Sequence, residues 1–252
     1  MHNLKDIVSS SESFVEGLKK NGQLHKNYKS YTSLDKAMEV LLTGYIYLNN
    51  GATWNDTEDS SNMKERGTYG MCFSYSTREN VAMWMLYSEN RGKNGAALNL
   101  YPSIIKEISN ASIIEIGKIN PKKNKFEKVD DLDRRKGEFE IFMTDVVYVD
   151  PCKDNKSRIT IYDESIIVDN KILNNDQIFT KNYAWSYEKE CRIVVKPRVN
   201  IQDESCSIIR IKLSQKSIAK LNEDRIIRSP IYKGKVSYGR DSDLVGKVNW
   251  DL

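Results

Sequence analysis

From Ser33 onward, Leu34, Ala37, Met38, Leu41 and Leu42 recur at i, i+3, i+4, i+7 and i+8, the stripe of a helix that buries one face. Ser33 is placed to cap its start, and Gly44 to supply the left-handed residue that stops it. Tyr45 to Leu48 then reads as a short strand closed by the turn Asn49-Asn50-Gly51. The residues between Thr53 and Thr68 are polar and predict a loop, and Tyr69 to Ser76 alternates as a half-buried strand does. Val81, Trp84, Met85 and Ser88 share one helical face, with Thr77 or Asn80 as cap and residues 91–95 as the break. Ala96 to Leu100 returns as a strand, and Pro102 opens a short helix through Ile108.

The second half reads differently. Lys118 to Lys136 carries mixed charges and predicts a solvated loop or insertion, with the basic run Lys122, Lys123 and Lys125 at its centre. Phe139 to Val149, Arg158 to Tyr162, Cys191 to Val195 and Ile208 to Leu213 run as strands, and Ser214 to Leu221 as a helix. An amphipathic stretch from Asp6 to Lys20 predicts an N-terminal helical extension over residues 1–22. Without an internal repeat or a linker, residues 23–252 are expected to form a single α+β domain with a split, mostly antiparallel β core and its helices mainly in the N-terminal half.

Composition narrows the chemistry. The chain has 252 residues, with 39 Lys and Arg against 35 Asp and Glu, so its +4 balance is too weak to argue for nucleic acid by itself. No apolar run suits a membrane helix and the first residues lack a secretion-signal core, so a cytoplasmic protein without a membrane partner is expected. The four cysteines never form a Cys-x-x-Cys pair and there are two histidines, His2 and His25. Zinc sites, a disulfide framework and a Ser-His-Asp triad are therefore hard to build, and no metal is expected.

Chemistry must then rest on carboxylates, hydroxyls, aromatics and cations, and these gather in four clusters. They are Tyr28-Lys29-Ser30-Tyr31; Trp54-Asn55-Asp56; Cys72 to Ser76 leading to Met83-Trp84-Met85-Leu86-Tyr87; and Trp185-Ser186-Tyr187-Glu188-Lys189-Glu190-Cys191-Arg192. In an extended Glu188 to Val195, the side chains of Glu188, Glu190 and Arg192 share one face and those of Cys191, Ile193 and Val195 the other. Taken singly, each cluster also has an ordinary structural reading: an ion pair on a strand, an Asx turn at Asp56, and core packing of Trp84 and Tyr87.

Together, and in this order, the clusters resemble the signature blocks of a bacterial family catalogued as a domain of unknown function, number 2971, over about Leu24 to Lys196. The family usually has Phe-Asn-Asp-Pro where this chain has Trp54-Asn55-Asp56-Thr57, and the Lys-rich stretch before Phe139 has no counterpart. The layout is also similar to that of ADP-ribosyltransferases, in which a first strand carries Arg or His, a middle strand Ser or Thr, and a late strand a catalytic Glu. That resemblance implies NAD as substrate, with Lys29 or Ser30 in the first position, Ser74 in the second, Glu190 in the third and Glu188 as its upstream partner.

In such an enzyme a carboxylate at the ribose stabilises positive charge as the nicotinamide bond breaks, and a second carboxylate takes a proton from the nucleophile. The expected catalytic residues are Glu190 and Glu188. The expected NAD-contacting residues are Tyr28, Lys29, Ser30, Tyr31, Ser74, Tyr75, Trp185 and Arg192, and Trp54, Asn55, Asp56, Trp84 and Tyr87 form a possible substrate loop. The resemblance implies an NAD-dependent transferase or NAD glycohydrolase, acting as a toxin or anti-phage effector on a nucleic-acid or protein acceptor, with an inhibitory partner possible. Two alternatives stay open: a metal-dependent nuclease holding Mg²⁺ through Asp56, Glu58 or Asp59 with Glu188 and Glu190, helped by Lys189, and a non-catalytic nucleotide- or peptide-binding sensor.

Overall fold

The computed structural model describes residues 25–52, 54, 56–88, 93–123, 125–150, 159–162, 165–169, 177–201, 205–233 and 238–247. The expected helical extension over residues 1–22 lies outside them. β1 (Tyr28–Ser33), α1 (Leu34–Thr43) and β2 (Tyr45–Asn49) open the fold, followed by α2 (Thr57–Glu65), β3 (Tyr69–Ser74), α3 (Val81–Tyr87), β4 (Gly95–Leu100) and α4 (Pro102–Ser109). Next come β5 (Ile113–Asn120), β6 (Lys125–Asp133), β7 (Phe139–Asp145), β8 (Val147–Asp150), β9 (Ile159–Tyr162), β10 (Ser165–Asp169) and β11 (Thr180–Asn182). β12 (Glu190–Pro197), β13 (Ile208–Lys212), α5 (Gln215–Ile218), β14 (Ile226–Arg228) and β15 (Arg240–Asp241) complete it. The α+β class and the concentration of helices in the N-terminal half match the reading of the sequence.

α1 forms for the reasons expected. Ser33 accepts from the Lys36 N–H and Gly44 stops the helix at φ 66°. Leu34, Ala37 and Val40 are buried, but Leu42 is 78% exposed: the apolar stripe is narrower than its five apolar residues suggested. Asn80, of the two candidates, caps α3 by accepting from the Ala82 N–H.

Two expectations are corrected. The polar segment after residue 53 contains α2 rather than only loop: Asp56 Oδ1 accepts from the Asp59 N–H in its first turn, and Met63 anchors it in an apolar cluster. The charged segment 118–136 is largely the antiparallel hairpin of β5 and β6. Its charges line the solvated outer face of an edge strand, where alternation is hidden because few of its residues are buried.

The main sheet forks at β3. One edge of β3 pairs along its length with β12, which pairs in turn with β7. On the other edge β1 takes the C-terminal end, with Lys29 opposite Ser74, and β2 takes the N-terminal end, with Asn49 opposite Gly70. Two wings diverge from there, β1-β4-β14-β15 and β2-β13-β5-β6. A second sheet, in the order β11-β8-β10-β9, is mixed.

Alternation along β3 and β12 sorts side chains between the two faces of the main sheet. Tyr69, Phe73, Cys191, Ile193 and Val195 enter the principal core with Leu34 and Val40 of α1 and Ile104, Ile105 and Ile108 of α4. Burial of apolar area on this scale, at about 25 cal/mol per Å², is the main source of stability. The opposite face carries Val194, Met63, Ile178 and Phe179 in a smaller apolar cluster, and beside it the residues of the site. Among the described residues no helix is long and apolar enough to cross a membrane.

A buried ionic cluster as candidate active site

The site begins with a bend. The strand expected from Glu188 starts instead at Glu190; Tyr183–Glu188 is a 3-10 helix capped by Asn182, which accepts from the Ala184 N–H. Lys189 joins the two at φ 46°, a left-handed conformation rare for a residue with a side chain. Its carbonyl accepts from the Tyr75 N–H and its own N–H donates to Ser186 O, so the bend is held from both sides. In a straight strand Glu188 and Glu190 would stand side by side. Across the bend, both reach one ammonium group instead.

That group is Lys181, on β11. Its Nζ donates to Glu188 Oε2 at 2.7 Å and Glu190 Oε2 at 3.5 Å, and lies 3.6 Å from Asp59 Oδ2. Arg192 closes the other side: Nε donates to Glu190 Oε1 at 2.6 Å, Nη1 to Asp59 Oδ1 at 3.0 Å and to Ile178 O, and Nη2 to both carboxylates. Its side chain is 1% exposed. Tyr87 Oη donates to Glu188 Oε1. Each cation has a tryptophan above it, Trp54 at 5.3 Å from the Arg192 guanidinium and Trp185 at 4.8 Å from the Lys181 ammonium.

The second sheet contributes more than Lys181. Tyr148, on β8, accepts the Glu190 N–H at 3.0 Å. The cluster is thus assembled between α2, β12, the 3-10 turn and elements of the smaller sheet.

Electrostatics separate the two glutamates. Burial raises Glu188, the Glu190 charge adds to this, and Lys181 and Tyr87 offset only part, so its pKa is pushed up to about 7. Burial acts on Glu190 in the same direction, but Arg192 and then Lys181 outweigh it and hold the carboxyl well below the usual range. Asp59 is raised by burial against the pull of Arg192. Burial opposes the charge on Lys181, yet Glu190 and Glu188 leave its pKa above the ordinary value. Three carboxylates against two cations leave the cluster one negative charge in excess when all are ionised, or neutral when one proton sits on Glu188.

The expected site residues fall into three groups. Glu188, Glu190, Arg192, Trp54, Tyr87 and Trp185 meet around Lys181. Ser74 and Lys29 join them by register, since Glu190 pairs with Ser74 and Ser74 with Lys29. The Ser74 hydroxyl donates to Glu188 O at 2.7 Å, and Lys29 Nζ donates to the carbonyls of Ser76, Thr77 and Arg78.

The remaining residues stand apart from Lys181. Tyr28 and Tyr75 belong to the core face: Tyr28 Oη accepts from the His25 N–H, and Tyr75 stacks on the His25 ring at 3.8 Å. Ser30, opposite Leu98, alternates away from Lys29. Tyr31 packs edge-on against Trp84, whose Nε1 donates to Glu79. Asp56 serves α2, and Asn55 lies outside the described residues.

Sequence reasoning missed Lys181, the hub of the cluster, and the pair His25–Asp145, joined at 2.8 Å on the core face. Nothing local marks Lys181, which stands between Thr180 and Asn182 in a polar stretch; only its burial against the late carboxylates gives it away. Asp59 was weighed only as a metal ligand. Among the described residues no group of three or more His, Cys, Asp or Glu side chains is arranged to hold a metal ion, and Asp59, Glu188 and Glu190 close on Lys181 and Arg192 instead.

Residues 83–193 match the model of a family described as Protein of unknown function (DUF2971). The match takes in α3 from Met83 onward and the run from Lys181 to Arg192, within the span where the resemblance was expected, and leaves Lys29, Asp59 and Ser74 outside it. No match was found among curated proteins or solved structures.

Proposed function

We propose that this chain cleaves the nicotinamide–ribose bond of NAD and transfers the ADP-ribosyl group to an acceptor, or to water. The observation that carries the reading is a pair of buried carboxylates, two residues apart, whose surroundings drive them toward opposite protonation states beside Ser74 and Lys29. Two carboxyl groups with separated pKa values are what a glycosyl transfer needs.

The bond from the ribose C1′ to the nicotinamide nitrogen breaks with its electron pair going to nicotinamide, which leaves neutral. Positive charge then develops on the ribose. The ionised Glu190 and the cluster's excess negative charge favour that state over the ground state. Glu188, with a pKa near 7, accepts the proton of the attacking hydroxyl, amine or water as the new bond to C1′ forms. Trp185 and Tyr187 stand partly exposed at the border of the cluster and suit a planar ring. Arg192 takes a different part from the NAD contact expected: with its donors spent on Asp59, Glu190 and Ile178 O, it holds Glu190 ionised. A nuclease is less well supported, because the carboxylates it would give to Mg²⁺ already enclose two cations.

Incubation of the purified chain with NAD, followed by release of free nicotinamide, tests the reading. Glu190→Gln is expected to lower the rate by about 10²–10³-fold while still binding NAD. Full activity in that variant ends the proposal. Glu188→Gln is expected to remove the limb of the rate profile that rises through pH 7. NAD binding without turnover in the wild type returns the chain to the sensor reading. Arrest of bacterial growth by the wild type and not by Glu190→Gln supports the effector setting.

A further inference from the structure

A charge acts on the ribose through space, but a proton has to be handed over by contact. The Glu188 carboxylate, which accepts one in the reaction proposed above, is closed to solvent: its side chain is 2% exposed. Each of its oxygens is also engaged. Lys181 Nζ donates to Oε2 at 2.7 Å, and Tyr87 Oη donates to Oε1. The way in for a proton therefore runs through one of these two neighbours.

Lys181 does not serve. Its side chain is 5% exposed and faces Asp59, Glu188 and Glu190, and an ammonium has protons to give but no lone pair to receive one. Tyr87 has what Lys181 lacks: a phenolic oxygen accepts as well as donates, and the residue is partly exposed. The Ser74 hydroxyl is spent on the main-chain carbonyl of Glu188 rather than on its carboxylate. The position of Tyr87 is fixed by α3, whose cap Asn80 donates from its side-chain amide to Tyr187 O at 3.3 Å and so ties the helix to the 3-10 turn. Burial and then the Glu188 charge raise the pKa of Tyr87 far above its ordinary value. A phenolate is not formed here, so Tyr87 releases its proton only as it takes another.

We infer that Tyr87 is a catalytic proton relay between the attacking nucleophile and Glu188. The inference rests on the NAD-cleaving function proposed above and adds a residue to it. The oxygen or nitrogen of the nucleophile bonds to C1′ as nicotinamide leaves with the electron pair of the broken bond. The nucleophile's proton passes to Tyr87 Oη, and the Oη proton passes to Glu188 Oε1. Tyr87 ends neutral and Glu188 ends as a carboxylic acid, which returns its proton to water along the same path. Glu188 then has no need to touch the acceptor, whose reacting atom belongs about 3 Å from Tyr87 Oη.

The test measures nicotinamide release from NAD by the full chain, in mixtures of light and heavy water, for the wild type, Tyr87→Phe, Glu188→Gln and the double variant. Tyr87→Phe is expected to lower kcat about 10²-fold with KM nearly unchanged. The dependence of rate on deuterium fraction is expected to change from curved, with two protons moving, to linear. In the Glu188→Gln background Tyr87→Phe is expected to cost nothing more, because both substitutions cut one path. Additive losses, curvature that survives in Tyr87→Phe, or a wild-type rate in that variant overturn the relay and leave NAD cleavage standing. If Tyr87→Phe melts early, replacement of Tyr87 by a ring-fluorinated tyrosine, which keeps the hydroxyl but holds its proton less tightly, decides: a changed rate supports the relay and an unchanged one overturns it. A wild type that releases no nicotinamide ends the NAD reading instead. The relay is then judged on the proton alone, by how fast the infrared band of the Glu188 carboxylic acid follows a jump in pH: a slower response in Tyr87→Phe keeps it, and an equal one overturns it.

Discussion

Two arginines of this protein sit in assemblies of the same ingredients. Arg192 meets Glu190 and Asp59 under Trp54; Arg210, on β13, meets Glu115 at 2.6 Å between Tyr45 at 4.0 Å and Phe126 at 4.1 Å. The first is 1% exposed and the second 21%. Arg210 has one partner for one charge and lies on the outer face of the wing, where it helps clamp β5 and β6 to the sheet. The Arg192 assembly holds three carboxylates with two cations, away from water. Replacing buried ion pairs with packed apolar groups is often neutral or stabilising, so an ionic core of this kind is not what the fold needs to stand. The outer assembly is explained by packing. The inner one calls for a chemical explanation.

The largest expected effect separates the two directly. Arg192→Met leaves Asp59 and Glu190 buried without their main counter-charge and is expected to destabilise the protein by about 3–5 kcal/mol in denaturant unfolding. Arg210→Met, at a side chain 21% exposed and screened by water, is expected to cost about 1 kcal/mol or less. Equal losses at the two positions would erase the distinction drawn between them.

The next effect concerns pH. Glu188 has a folded-state pKa of about 7, above its ordinary value of 4.5, so the folded chain binds its proton more tightly than the unfolded chain does. Its contribution therefore favours the folded state below the unfolded pKa and is lost as pH rises through 7. Between pH 5 and pH 8 the wild type is expected to lose about 2–3 kcal/mol from this group alone, and Glu188→Gln to be spared that loss. Glu190 works the other way: its pKa is depressed, so the stability it lends is present above 4.5 and is lost only in strong acid. Unfolding curves of Glu188→Gln and wild type that stay parallel over this range would show that Glu188 does not carry the shared proton.

How much of this was legible in the sequence follows from range. α1 and α3 declared themselves because periodicity and capping are local, read within a dozen residues of Ser33 and Asn80. The strands β3 and β12 were legible for the same reason, and so was the sorting of Glu190 and Arg192 from Cys191 and Ile193. The convergence of Lys29, Ser74 and Glu190 was expected only through resemblance; in the fold it is a matter of register between strands more than 40 residues apart along the chain, which no local pattern encodes. Lys181 was invisible because a lysine flanked by polar residues looks solvated until the carboxylates that desolvate it are in place. The bend at Lys189 was hidden too, since its left-handed backbone is imposed by bonds to Tyr75 and Ser186 and not by a glycine.

The smallest effects come from two glycines, one beneath each assembly. A Cβ at Gly117 would stand 2.1 Å from Glu127 O and 2.8 Å from the Phe126 ring. The first of these is backbone of the paired strand, at the register shift between β5 and β6, and it cannot yield without parting the hairpin. Gly117→Ala is expected to cost about 1–3 kcal/mol, as overpacking does. A Cβ at Gly70 would meet Met63 Cε at 2.8 Å and the Trp54 ring at 3.1 Å, side chains with room to give. Gly70→Ala is therefore expected to cost about 1 kcal/mol or less. Its sharper readout is the fluorescence of Trp54, which has to lift from Arg192 to make room. A spectral shift without a comparable loss of stability marks Trp54 as an adjustable cover over the ionic cluster; the same loss as in Gly117→Ala would mean that the inner assembly is as rigidly packed as the outer.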